Sequence, residues 1–324
     1  METRIPLRVY MFVGMGLLAF SFSPILVRLA SYAPGLAIAV WRTLWATILL
    51  APVALPRIGS AVRRFHARDG WLIALAGIFL GFHFILWIES LYYTSVASAS
   101  VLVTTSPLFL AILGYVWLRE PVHPRTALAI VLAIGGSFIL NWGDLYSLAF
   151  PEAWKGNMMA LVAALLFSFY LLIGRVVRQR VSWLAYVFPL YTVVALTCLI
   201  VAWIQNVPLT GYPVVFYVIC MLLAAGPQIM GHGSFNYAVR YIPAAVLGVL
   251  SLAEPVLASL LAWVFFNEQP PVPSILGMGI ILLAIGLVIY PAQSAVPVQQ
   301  AGKEGGSAPS EDPKSADGSG GSSQ

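Results

Sequence analysis

Apolar runs of about twenty residues alternate with short polar or Pro/Gly breaks from Leu7 as far as Pro291. A helix of that length crosses the roughly 30 Å hydrocarbon layer of a bilayer. The pattern predicts ten spans, over 7–29, 35–55, 71–92, 96–118, 124–141, 154–175, 182–204, 212–238, 243–266 and 273–291. Backbone in hydrocarbon must pair with itself, so spans this apolar are helices. The first run is too long for the core of a cleavable signal and reads as a membrane helix. Beyond Pro291 the chain turns to Gly, Ser, Ala, Pro and scattered charges. That composition cannot bury a core, so residues 292–324 are expected to be a disordered tail.

Composition agrees: 60% of the 324 residues are apolar and 9% charged, with a mean hydropathy of +0.90. A soluble domain carries about a quarter of its residues as charges, so that class is excluded. The net charge of +5 forms no basic patch interleaved with aromatics, and no nucleic-acid partner is expected. Cys198 and Cys220 both lie inside apolar runs, with no metal-ligating spacing. Alternate loops divide the cations unevenly. One set holds Arg4, Arg8, Arg57, Arg63, Arg64, Arg68, Arg119, Arg125, Arg175, Arg178, Arg180 and Arg240; the other holds Arg28 and Lys155. Positive loops stay inside, so the expected topology is multi-pass in the inner cell membrane, with both termini cytoplasmic.

The chain repeats itself at an offset of 147 to 148 residues. Phe20-Ser21-Phe22 returns as Phe167-Ser168-Phe169, Arg28 as Arg175, Ser106-Pro107 as Glu254-Pro255, and Glu120 as Glu268. Each copy has five spans, an odd number, so the copies face opposite ways across the membrane. The expected units are residues 1–141, an external linker 142–153, and residues 154–291, before the tail.

Leu91 to Pro107, running on to Trp117-Leu118-Arg119-Glu120-Pro121, resembles helix 4 of an EamA domain. Ala244 to Pro255 with Asn267-Glu268 resembles its partner, and Arg42 in Val40-Trp41-Arg42 matches an arginine frequent in helix 2 of such domains. The chain is thus similar to the drug/metabolite transporter superfamily, EamA type, over residues 10–291. The resemblance implies an all-α membrane protein of ten transmembrane helices, two inverted five-helix repeats around a central cavity lined mainly by helices 1, 3, 4, 6, 8 and 9. Helices 5 and 10 are then peripheral.

Ionisable groups in hydrocarbon are costly, and each one marks a candidate site. Glu254 falls near the midplane of helix 9, where it is suited to a coupling proton or a substrate ammonium; a structural hydrogen bond is the alternative. Pro255 and Pro107 each withdraw an amide from the helix ladder, at matching positions of the two repeats. Gln228, His232 and Asn236 recur at i+4 spacing on helix 8, ending at Arg240, as one polar stripe facing a cavity or a neighbouring helix. Arg42 and Glu89 lie at similar depth and suit a salt bridge or gate, while Arg42 can instead snorkel to the headgroups. His83 shares a face with Trp87 and Ser90 and reads as internally bonded, and Ser98 and Thr105 supply small polar groups on helix 4.

A P-loop, a zinc motif and a nucleophile elbow are all missing from the sequence, so an enzyme is not expected and no cofactor is called for. The expected activity is secondary export of a small organic metabolite such as an amino acid, driven by a proton gradient or by the substrate's own gradient. Lipophilic-cation or drug export is the alternative, and a non-transporting sensor the alternative of another class. The expected partners are the substrate, protons and the lipid bilayer. Gly14/Gly16 and Gly277/Gly279 leave monomer and homodimer both open.

Overall fold

The computed structural model describes residues 5–62, 66–94, 96–140, 151–266 and 270–289. All secondary structure among them is helical. Ten spans follow: α1 (Leu7–Ser21 and Ser23–Leu29), α2 (Gly35–Val62), α3 (Ala67–Tyr93), α4 (Val96–Val103 and Ser106–Leu118) and α5 (Pro124–Leu140) make the first half. The second half holds α6 (Ala153–Val177), α7 (Trp183–Ile204), α8 (Val214–Leu223, Ala224–His232 and Gly233–Ala238), α9 (Ala244–Ser251 and Ala253–Phe266) and α10 (Val272–Ile289). Among the described residues nine of these spans are long and apolar enough to cross a membrane, and α5 is a shorter apolar helix. Most of the external linker and the tail expected at 292–324 lie outside the described residues, as does Glu268.

The interruptions have a chemical cause. α4 and α9 both break just before a proline, at Thr104–Thr105 and at Leu252. Hydroxyls at those breaks donate to carbonyls three residues back: Thr104 to Val101 at 2.7 Å, Thr105 to Leu102 at 2.6 Å and Ser251 to Gly248 at 2.6 Å. These are local bonds within the turn before each break, of the kind that bends a helix. Pro24 accompanies the break in α1, and Pro227 lies within the wide π-helical turns of α8.

The packing is symmetric under exchange of the halves. α3 runs along α6 as α1 runs along α8, α3 meets α7 as α8 meets α2, and the α2–α7, α4–α9 and α5–α10 pairs map onto themselves. α5 and α10 pack chiefly on each other and on α4 and α9. A Cβ on Gly277 would lie 2.6 Å from the Gly136 carbonyl oxygen, so this glycine serves the α5–α10 crossing inside the chain rather than a dimer face. The broken helices also meet closely: a Cβ on Gly248 would come within 3.0 Å of the Pro107 Cα.

Candidate functional site

A cluster of rings from both halves fills the middle of the bundle. His232 on α8 has the ring of Phe20 edge-on at 4.8 Å, Phe84 at 5.0 Å, Phe167 and Tyr170 both at 6.0 Å, and His83 at 6.2 Å. The repeated Phe-Ser-Phe motifs supply matching members. Phe20 of α1 packs on the histidine of α8, and Phe167 of α6 packs on His83 of α3 at 5.4 Å. Each half thus lends a phenylalanine to the histidine of the other. Gly231 permits this, because a Cβ there would stand 2.5 Å from Phe20. The Nδ1 of His83 is 2.8 Å from the Ala163 carbonyl oxygen. A carbonyl can only accept, so Nδ1 carries the hydrogen and His83 is internally bonded.

Arg42 is buried in α2, 2% exposed, so it does not snorkel. Its Nε donates to Gln228 Oε1 at 3.1 Å and its guanidinium lies over the Phe84 ring at 4.2 Å. The expected bridge to Glu89 does not form. Glu89 Oε1 instead accepts the Leu36 amide at 3.0 Å, in the first turn of α2, where unpaired N–H groups and the helix dipole favour an anion. Arg42 sits six residues further on, about 9 Å along the axis, which separates two groups of similar nominal depth. Truncation by Glu89→Ala should therefore act as loss of a cap, lowering stability by about 1 kcal/mol, read as a lower melting temperature of the purified chain. An Arg42→Ala change should leave that cap intact.

Glu254 is half-buried on α9, and it makes no hydrogen bond or ion pair with another described residue. It lies within electrostatic reach of Arg42.

The α8 stripe is buried throughout, with Gln228 and Asn236 at 0% and His232 at 4% exposure. An i+4 step overshoots a full turn in α-helix and falls short of one in π-helix. The two drifts oppose each other, which holds the three side chains in line. Tyr170 donates to Asn236 Oδ1 at 3.0 Å and Tyr191 to the Gln228 carbonyl at 2.7 Å. Gln228 Nε2, His232 Nδ1, Asn236 Nδ2 and the Tyr186 hydroxyl are buried with no hydrogen-bond partner among the described residues. The stripe does not continue to Arg240, which is exposed because α8 ends at Ala238. Arg178 takes that place. It is 2% exposed, and it donates to the Asn236 carbonyl at 2.9 Å and to that of Val181. Loop arginines read alike in sequence, so nothing but the repeated Phe-Ser-Phe hinted at the centre's extra members.

Ser98 is buried on α4, and Thr105 spends its hydroxyl on its own helix. Neither belongs to the ring cluster, whereas Pro107 and Pro255 are buried beside the helix breaks. At the arginine-rich end two ion pairs tie the halves together, Arg180 to Asp69 at 2.8 Å and Arg175 to Glu120 at 3.1 Å. Arg175 also donates to the Val239 carbonyl at 2.7 Å, near the end of α8. At the opposite end Trp41 donates to the Leu209 carbonyl at 2.7 Å and Thr94 to Asn157 at 2.9 Å.

The chain matches the model of the EamA-like transporter family over residues 7–142 and 154–290. It is 27% identical over 256 residues to an "Uncharacterized transporter" of Clostridium kluyveri, covering 75% of this chain and 78% of that one. It is 25% identical over 296 residues to an uncharacterized transporter of Pseudomonas aeruginosa, covering 83% and 89%. A crystal structure superposes with a TM-score of 0.75 at 18% identity, over 88% of this chain and 98% of the other, which establishes a shared fold. With two family matches, one on each five-helix half, this multi-pass membrane protein belongs to the EamA-like transporter family.

Proposed function

We propose that the chain exports a small organic metabolite, an amino acid or similar zwitterion, by alternating access, with Glu254 holding the substrate ammonium or a coupling proton. The observation that carries this is the position of Glu254. It is a half-buried carboxylate at the break of α9, where two proline-interrupted helices cross, without a bonded partner among the described residues. Charge in hydrocarbon persists where it serves transport, and weakened helices at repeat-related positions are where such bundles rearrange. The arginine-rich loops support a cytoplasmic location for both termini, with residues 1–141 and 154–291 as the two moving units. Opening toward the cytoplasm then has to part Asp69 from Arg180 and Glu120 from Arg175.

A lipophilic cation is the second reading, favoured by the rings of Phe20, Phe84, Phe167 and Tyr170 around the centre. Counterflow in proteoliposomes loaded with mixed amino acids and metabolites, followed by mass spectrometry with and without a pH gradient, separates the two. Accelerated exchange of an amino acid is expected. Exchange of toxic cations alone would transfer the assignment to the second reading, and no exchange by folded protein would overturn both.

A further inference from the structure

We infer that Arg42 and Gln228 form a binding site for the carboxylate of the transported molecule, an assignment that rests on the exporter reading above and adds the second half of the substrate.

A guanidinium carries five N–H donors and no acceptor. Arg42 uses one of them, on Nε, toward Gln228 Oε1 at 3.1 Å. The four on its η nitrogens make no hydrogen bond to a described residue, and its ring contact with Phe84 covers only a face of the plane. The Arg42 bond also fixes the Gln228 amide, since only its oxygen can face a donor, and the Nε2 group with two more N–H donors is then left buried and without a partner among the described residues. Tyr191 donates to the Gln228 carbonyl, so its hydrogen is committed as well. The centre of this protein therefore presents a buried positive charge and a surplus of donors, with nothing described in bonding contact to accept from them.

Leaving a buried charge in that condition costs several kcal/mol, so the structure is complementary to an acceptor-only group. A carboxylate is acceptor-only, planar and matched to the guanidinium fork. Charge balance selects a zwitterion. Glu254 already lies within electrostatic reach of Arg42, and with Glu254 ionised any net anion added beside both would leave the site net negative. A carboxylate on Arg42 with an ammonium toward Glu254 leaves it neutral.

The test is binding by the purified full-length protein, read as thermal stabilisation. The probes are the twenty common L-amino acids, C2–C6 monocarboxylic acids, and the methyl esters and amides of each. At least one carboxylate should stabilise the protein, and its ester and amide should bind about ten- to a hundredfold more weakly, the factor expected for charged hydrogen bonds. Arg42→Gln should erase that discrimination. Gln228→Glu guards against a variant that fails to fold, because it supplies Arg42 with an internal carboxylate and should remain at least as stable as the parent while losing binding. Equal binding of acid and ester, no stabilisation by any carboxylate, or Gln228→Glu binding like the parent would each overturn the assignment. Carboxylate binding lost in both variants, together with no counterflow in the parent, would uphold the site and overturn the exporter reading instead.

Discussion

Glu254→Gln is expected to abolish pH-driven flux while leaving a folded protein that exchanges substrate across the membrane at a measurable rate. Glutamine keeps the shape and removes the charge, and Glu254 has no bonded partner among the described residues for the change to break. What disappears is the only carboxylate found within electrostatic reach of Arg42 among the described residues, and with it a site for an ammonium or a proton. The initial rate of gradient-driven uptake should fall at least about tenfold, the consequence of losing an interaction of about 1.4 kcal/mol. Glu254→Asp should retain a pH response at reduced rate, since the chemistry survives although the reach is shorter. Unchanged pH-dependent flux in the Gln variant would remove Glu254 from the mechanism.

Gly277→Ala should damage the fold more than any other single methyl group added in α10. The new Cβ would stand 2.6 Å from the Gly136 carbonyl oxygen and from the Leu140 Cα, and closer still to the Leu140 nitrogen. All three are backbone atoms of α5, so no side chain can turn aside, and the helices themselves must separate. Overpacking of this kind costs about 1–3 kcal/mol, visible as a lowered melting temperature and a loss of monodisperse protein. Gly279→Ala, two residues along the same helix, meets nothing within 4 Å and should be close to neutral. Equal stability of the two variants would show that the α5–α10 crossing yields more easily than its backbone contacts suggest.

The ten helices, the two halves and the breaks at Pro107 and Pro255 are legible in the sequence, because each rests on a local rule. Not every proline obeyed alike: Pro52 and Pro56 sit inside continuous α2, and Pro189 inside α7. The α8 stripe was legible as far as Asn236, then failed at Arg240, because helical spacing stops meaning anything once the helix ends. Arg178 was hidden among the loop arginines, since the positive-inside pattern counts charges and is blind to which one folds back under the bundle. Glu89 shows the same limit from the other side. Its depth suggested Arg42, and its partner is a backbone N–H of the kind every residue but proline possesses.

Amino-acid order alone determined that this chain lies in a membrane as two similar sets of five helices, with ionisable groups near the middle. Hydrocarbon forbids unpaired backbone, so length and apolarity suffice for that much. Tertiary structure decided which partner each buried or half-buried charge takes: Arg42 with Gln228, Glu89 with Leu36, Arg178 with Asn236. Those choices depend on how each helix is rotated and how closely it approaches its neighbours. Rotation and approach are set by contacts such as Phe20 against Gly231 and Gly136 against Gly277, between residues far apart along the chain.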